Sequence, residues 1–192
     1  MSADDRRRHI IDTARTLFAQ RPYGAVSTQD IADAAGVARS LVHHYFRGIK
    51  DVFLAVVATS GPELADVRTA GPETPYEERI AFNVRAALDL AERNRETWMA
   101  VVGHGIDAGD AEVRALITAI RKRSIERTLA ANADVLQDTP RTRLALRSFH
   151  DFSGGAIRDW LNGEATRADV EAVLIATGTP LFRDVARAFN AA

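Results

Sequence analysis

The most constraining feature of this sequence is the stretch 27–46, which reads STQDIADAAGVARSLVHHYF. Ser27 is a candidate N-cap, and Asp30 three residues later completes a capping box, which marks the start of a helix. Gly36 follows a short helical run, at the position where a helix end favours a residue that can adopt positive φ. A second helix is predicted over 39–46. Two helices around a glycine turn form a helix-turn-helix, whose second helix can enter the major groove of DNA.

Residues 6–57 resemble the DNA-binding domain of the TetR family of bacterial transcriptional regulators. Three elements match: a basic, amphipathic first helix ending in Leu17-Phe18, the motif blocks of the helix-turn-helix, and a lysine–acid pair. The blocks are IADAAGV over 31–37 and HHYF over 43–46, and the pair is Lys50-Asp51.

The sequence departs from the family pattern at two places. Ala38 stands where the family usually has a serine, and replacing a helix cap by alanine typically costs about 1 kcal/mol. The start of the recognition helix is therefore expected to be less firmly set. In addition, the residues 47–49 lengthen the gap between Phe46 and Lys50, which shifts Lys50 relative to the pattern.

The resemblance implies which side chains touch DNA. Arg39 and Ser40 correspond to positions that commonly reach base edges, and the guanidinium of Arg39 can donate two hydrogen bonds to a guanine. A contact of Arg39 to phosphate alone is the alternative. The end of the recognition helix and the lysine correspond to phosphate contacts of the family. Thr28 and Gln29 lie in the first turn of the preceding helix, where free backbone N–H groups and a hydroxyl suit a phosphate. The predicted DNA-contacting residues are Thr28, Gln29, Arg39, Ser40, His43, Tyr45 and Lys50.

The charge of the chain is unevenly distributed. Residues 1–50 hold eight Arg or Lys and five Asp or Glu, although the whole chain has a net charge of −1. A basic N-terminal segment in an otherwise acidic chain is typical of a protein that contacts nucleic-acid phosphates at one end only. The excess is small, so the prediction of DNA binding depends on the motif and not on the charge.

The whole chain has helical patterning and no strand alternation, which predicts an all-α fold of about nine helices. We expect a three-helix DNA-binding domain over 1–48 and a larger effector-binding and dimerisation domain over 49–192. The segment 69–76 contains glycine and two prolines and is the clearest break in the pattern. Pro180 lies inside the last predicted helix, so a kink or break is expected near Gly178.

In the resembling family, helices 5 to 8 enclose a small-molecule cavity, and helices 8 and 9 of two subunits form a dimer. Large apolar side chains on the matching segments are candidates for an unknown, mainly apolar effector, although core packing is the alternative for each. The effector candidates are Phe82, Trp98, Val102, Ile120, Phe149 and Phe152. An apolar stripe on the last two helices predicts the homodimer interface. The interface candidates are Ala156, Trp160, Val170, Leu174, Thr177 and Leu181. Phe149 and Phe152 could face either the cavity or the partner subunit.

Several other classes of protein are disfavoured. The chain has no cysteine, so disulfides and thiolate metal sites are excluded. His104, Asp107 and Asp110 match no metal-ligand spacing, and no phosphate-binding loop or nucleophile motif is present. We therefore expect no enzyme activity and no cofactor. The charged start of the chain and the lack of a long apolar run predict a cytoplasmic protein without membrane contact.

Together these features predict a homodimeric transcriptional repressor that leaves a palindromic operator in double-stranded DNA when a small effector binds. The alternative is a helical protein-interaction module in which the helix-turn-helix serves packing only.

Overall fold

The structure is a computed structural model and describes residues 2–65, 69–103 and 110–190, with side chains described except at 60–65, 76–77, 102–103 and 185–190. These ranges contain nine α-helices and no strand, which confirms the predicted all-α fold. A short 3-10 helix (Tyr23–Ala25) and a π-helical turn (Met99–Gly103) complete the regular structure. The helices are α1 (Ala3–Gln20), α2 (Thr28–Ala35), α3 (Arg39–Tyr45), α4 (Ile49–Ala65), α5 (Tyr76–Arg93), α6 (Arg95–Trp98), α7 (Ala111–Ala131), α8 (Pro140–Leu161) and α9 (Arg167–Asn190).

The chain divides into two compact units, the first formed by residues 1–65 and 94–117 and the second by residues 66–93 and 118–192. The division follows packing within the chain, whereas the expected boundary after residue 48 separates the helix-turn-helix domain from the effector-binding and dimerisation domain. That functional boundary stays a prediction.

The first unit is built around the apolar faces of α1 and α4. The rings of Phe18 and Phe53 meet edge to face with their centroids 5.1 Å apart, and Tyr23 lies 5.1 Å from Phe53. Ile31 of α2 and Val42 of α3 are fully buried in the same unit. This packing holds α2 and α3 within the first unit, and both helices need it because each is too short to be stable alone in water.

The π-helical turn continues the helical segment that begins with α6. It follows directly on α6, and both pack against α1 within the first unit. Five consecutive residues, 97–101, are buried. Successive residues of a helix point in different directions, so this segment is covered on all sides.

The second unit is built from α5, α8, α9 and the later part of α7. Leu129, Leu136, Leu146 and Phe182 form its buried cluster. Gly178 allows α9 to come close to its neighbours, because an added Cβ would lie 2.9 Å from Phe149 Cζ and 3.0 Å from Ile80 Cγ2. Of the kink or break expected near Gly178, the break does not occur, because α9 stays helical through Gly178 and Pro180. A bend without loss of helix stays a prediction.

A buried arginine fixes the segment that precedes α5. The side chain of Arg79 is buried, and its guanidinium donates to both carboxylate oxygens of Asp134 at 2.8 and 2.7 Å. It also donates to the carbonyl oxygens of Thr74 and Pro72. A bidentate pair with further hydrogen bonds satisfies the buried charge, so the turn before α5 is held to the turn that follows α7.

Candidate nucleic-acid interface

The α2–turn–α3 segment has the geometry of a helix-turn-helix. The Ser27 hydroxyl accepts a hydrogen bond from the Asp30 amide at 3.1 Å, and the Ser27 amide donates to the Asp30 carboxylate at 2.8 Å. Gly36 ends α2 with φ +65°, and Val37 N donates back to the Ala32 carbonyl at 3.0 Å. The predicted capping box and glycine turn are thereby confirmed.

The capping box also sets the acidity of Asp30. The hydrogen bonds from Ser27 favour the ionised carboxylate, and the nearby Arg21 guanidinium adds to the effect, so the pKa of Asp30 falls from 3.8 to about 2. The charged form of Asp30 is therefore part of the folded helix-turn-helix.

The recognition helix α3 begins without a side-chain cap, as the alanine at position 38 led us to expect. Ala38 has extended backbone angles, and no side chain accepts from the free amides of the first turn. The helix has only seven residues. Because so short a helix has little stability alone, it depends on packing of Val42 and Phe46, which are both buried.

The side chains predicted to read bases point into solvent. Arg39 and Ser40 are both exposed at the start of α3. Gln29 in α2 is also exposed, and its amide donates to Asp33 Oδ1 at 2.7 Å. No carboxylate occurs in α3, so nothing on this helix itself would repel a phosphate.

Two predicted phosphate contacts lie next to each other. Thr28 is only 7% exposed, and its hydroxyl oxygen lies 3.4 Å from Nε2 of His43. The His43 side chain is itself exposed. Thr28 therefore links α2 to α3, and its side chain offers little surface to DNA.

Tyr45, another predicted phosphate contact, is half-buried, with its ring 5.0 Å from that of His44.

Two contacts tie α1 to this surface, and neither was predicted from the sequence. The Arg7 guanidinium lies 5.2 Å from the centre of the Phe46 ring, at the end of α3. His9 Nε2 lies 3.0 Å from the carbonyl oxygen of Ala35, at the end of α2. Both join residues that are far apart in the chain, so no local pattern indicates them.

Lys50 has an ion-pair partner that the sequence did not indicate. Its Nζ lies 2.7 Å from Glu112 Oε2 and 4.0 Å from Asp110 Oδ2, at the start of α7. The hydrogen bond to Glu112 and the charges of both acids raise the pKa of Lys50. Asp110 is the only one of the three residues without a metal-ligand spacing that the structure describes, since His104 and Asp107 lie outside the described residues. Over the described ranges, no group of three or more metal-ligating side chains occurs.

The effector candidates are distributed over both units. Trp98 is buried in the first unit, and Val102 belongs to that unit but its side chain is not described. The other four candidates belong to the second unit, where Phe82 and Phe152 are exposed and Ile120 and Phe149 are half-buried. Phe149 also packs on Phe182, with ring centroids 5.2 Å apart. Effector contact by these residues stays a prediction.

The apolar stripe of α9 is divided between two faces. Val170 and Leu174 are 4% and 1% exposed in the single chain, so neither offers a surface to a partner. Leu181 packs against the buried cluster of the second unit. Between residues 172 and 177, the exposed positions of α9 instead carry small or apolar side chains, namely Ala172, Val173, Ala176 and Thr177. In α8, Ala156 and Trp160 are half-buried, and the Arg167 guanidinium lies 5.7 Å from the Trp160 ring.

This chain is similar to known proteins in sequence and in fold. Residues 10–56 match the family model of bacterial regulatory proteins, tetR family. The HTH-type transcriptional regulator BetI of Brucella anthropi is 30% identical over 167 residues, which cover 85% of this chain and 86% of BetI. The regulator AcrR of Shigella flexneri is 26% identical over 173 residues, 83% of this chain and 80% of AcrR. A crystal structure of a tetR-family transcriptional regulator from Streptomyces coelicolor has a TM-score of 0.74 at 27% identity, and covers 98% of this chain and 85% of that one.

The fold and the exposed recognition helix define a transcriptional regulator that binds DNA through a helix-turn-helix. The chain belongs to the TetR family, as its resemblance implied. Among the described residues, no helix is both long and apolar enough to cross a membrane.

Proposed function

We propose that this protein is a homodimeric repressor that is released from a palindromic operator by a small, mainly apolar effector. In this proposal the DNA-contacting residues lie within 1–48 and in Lys50, and the rest of the chain serves dimerisation and effector binding. The observation that carries it is the face of α3: Arg39, Ser40 and His43 are exposed together on a helix without carboxylates. The alternative of an interaction module without DNA binding does not agree with membership of this family.

Selection of bound fragments from random duplex DNA tests the operator. A dimer with two recognition helices should enrich an inverted repeat whose half-sites lie about one helical turn, ~34 Å, apart. Arg39→Ala/Ser40→Ala is the matched control, because both side chains are exposed and can be removed without disturbing the core. Enrichment of a single, non-repeated site would contradict the palindrome, and no enrichment at all would contradict sequence-specific binding.

For the dimer, we propose the exposed face of α9 together with α8. Val173 is 48% exposed, and it is flanked on the same face by Ala172, Ala176 and Thr177. Exposed apolar faces of this kind mark interaction surfaces. Small side chains also allow helices to approach closely. Ala156 and Trp160 of α8 keep their place in the proposed interface, because both are partly exposed.

The effector is proposed to be mainly apolar because the available side chains are. Phe82 and Phe152 are 38% and 44% exposed in the single chain, which is unusual for large aromatic residues. Either effector contact or the partner subunit would cover them. Repression and release are proposed on the family pattern, in which an effector weakens the hold of the regulator on its operator.

A further inference from the structure

Lys50 is held by acidic side chains on the surface where a phosphate is expected. It lies in the first turn of α4, which a short connection joins to the recognition helix. Its Nζ is 2.7 Å from Glu112 Oε2, although its side chain stays 38% exposed. The lysine is therefore engaged in the DNA-free chain and still accessible from solvent.

Glu112, the acidic partner of Lys50, lies in a helix turn that is fixed by its neighbours. Asp110 caps α7, because its Oδ1 accepts hydrogen bonds from the amides of Glu112 at 2.8 Å and Val113 at 3.3 Å. Val113 is completely buried, so the first turn of α7 is anchored in the first unit. The other oxygen of Asp110, Oδ2, lies 4.0 Å from Lys50 Nζ. Glu112 thus starts from a fixed backbone beside the lysine.

We propose that Glu112 is a positioning residue that holds Lys50 against α7 and competes with the operator phosphate for the lysine. The inference rests on the proposed phosphate contact of Lys50. When DNA binds, the phosphate replaces the carboxylate of Glu112, because two anions beside one ammonium group repel each other. The start of α7 is released from the lysine in the same step.

The size of the effect follows from the exposure of the pair. Exposed ion pairs are weak, so loss of Glu112 should strengthen DNA binding only about two- to five-fold at low salt. The gain should be the same on all sequences, because phosphate contacts carry no base information. While Lys50 is paired with Glu112, its binding to phosphate releases fewer counterions from DNA. Without Glu112, the slope of log affinity against log salt concentration should therefore steepen by up to about one unit.

Acids at a helix N-terminus have a simpler explanation, because they interact favourably with the helix dipole. If that were the only role of Glu112, its loss would lower stability and leave DNA affinity unchanged. The two explanations therefore differ in what they predict for DNA binding.

The experiment measures affinity for random-sequence duplex DNA and for a selected operator at two salt concentrations. The variant is Glu112→Gln, which removes the charge and keeps the size. Glu126→Gln is the matched control, since Glu126 also lies in α7 and pairs with the other lysine of the chain, Lys122, at 3.9 Å. We expect a gain for Glu112→Gln on both DNAs and no change for Glu126→Gln.

Lys50→Ala is also measured, alone and combined with Glu112→Gln. These two variants show whether Glu112 weakens DNA binding through Lys50 or only through its negative charge. If Glu112 acts on Lys50, the gain disappears in the Lys50→Ala background. A gain that persists there, an equal gain for Glu126→Gln, or no gain at all would overturn the proposal. If Lys50→Ala alone leaves the affinity for both DNAs unchanged, the proposed phosphate contact of Lys50 fails, and the competition with it.

Discussion

At the scale of single residues, the recognition helix separates side chains that hold it from side chains that are free to meet DNA. Val42 is fully buried, whereas Arg39 and Ser40 are exposed. If Arg39 pairs with a guanine, Arg39→Ala should weaken operator binding by about 1–3 kcal/mol and relax preference at one base position. Binding measured against operators changed at each position checks this. Equal losses on every sequence would show that Arg39 contacts only phosphate.

A second prediction at this scale concerns acid stability. The pKa of Asp30 lies at about 2 in the folded chain, below its ordinary value of 3.8. A lowered pKa means that the carboxylate stabilises the fold above about pH 4, and that this contribution is lost as the pH falls towards about 2. Asp30→Asn should therefore reduce the free energy of unfolding at neutral pH, and the difference from the parent should shrink over that range.

Denaturant unfolding at a series of pH values measures the Asp30 contribution. Asp33→Asn is the control, because it removes the same charge from α2 without touching the capping box. A difference between parent and Asp30→Asn that stays constant down to about pH 2 would show that the cap does not depend on the ionised carboxylate.

At the scale of elements, contacts between residues close in the sequence could be predicted, and contacts between distant residues could not. The capping box of Ser27 and Asp30 and the turn at Gly36 follow from residues three to nine positions apart, which physical rules of helix ends describe directly. The pair of Lys50 with Glu112 joins residues more than sixty positions apart, and nothing local in the sequence marks it.

The α9 stripe shows a different limit. Val170 and Leu174 repeat at helical spacing, and so do Val173 and Thr177. The spacing identifies two apolar faces but does not say which one the chain itself covers. The structure shows that the first pair is buried and that Val173 and Thr177 remain exposed. Only the packing of α9 against α5 and α8 decides between them.

The close approach of α9 gives a prediction at the same scale. Alanine at position 178 would favour the helix by up to about 1 kcal/mol, but overpacking a core typically costs about 1–3 kcal/mol. The Cβ would lie 2.9 Å from the Phe149 ring and 3.0 Å from Ile80, so it would be crowded by two different helices. We expect Gly178→Ala to lower the free energy of unfolding by about 1–2 kcal/mol.

A double-mutant cycle checks the cause of this loss. In a Phe149→Leu background the ring is gone, so Gly178→Ala should cost much less than it does in the parent. Denaturant unfolding of the four proteins gives the coupling. Additive losses would mean that crowding by the Phe149 ring does not cause the cost of alanine at position 178.

At the scale of the whole molecule, dimer formation should depend on the exposed face of α9. Ala172→Glu would place a charge in the proposed interface and should give a monomer at micromolar concentration, as measured by light scattering. Ala130→Glu makes the same change at an exposed alanine of α7 and should leave the dimer intact. If both variants stay dimeric, the subunits use another surface.

The proposed release by an effector would be a property of the whole molecule as well. Two linked sites must influence each other equally, so the operator should weaken the effector as much as the effector weakens the operator. A typical coupling of about 1–3 kcal/mol corresponds to roughly 5- to 150-fold. A ligand that quenches tryptophan fluorescence, titrated with and without saturating operator, measures it. Equal affinity in the two titrations would exclude allosteric release.

The helix-turn-helix also has a consequence for how such a regulator can change over evolutionary time. Its conformation is set by Ile31, Val42 and Phe46 in the interior and by Gly36 in the turn. Arg39 and Ser40 are exposed and lie outside that interior packing. Substitutions at these two positions can therefore accumulate almost without loss of stability. A duplicated copy of the gene could acquire a new target sequence while its scaffold stayed as it is.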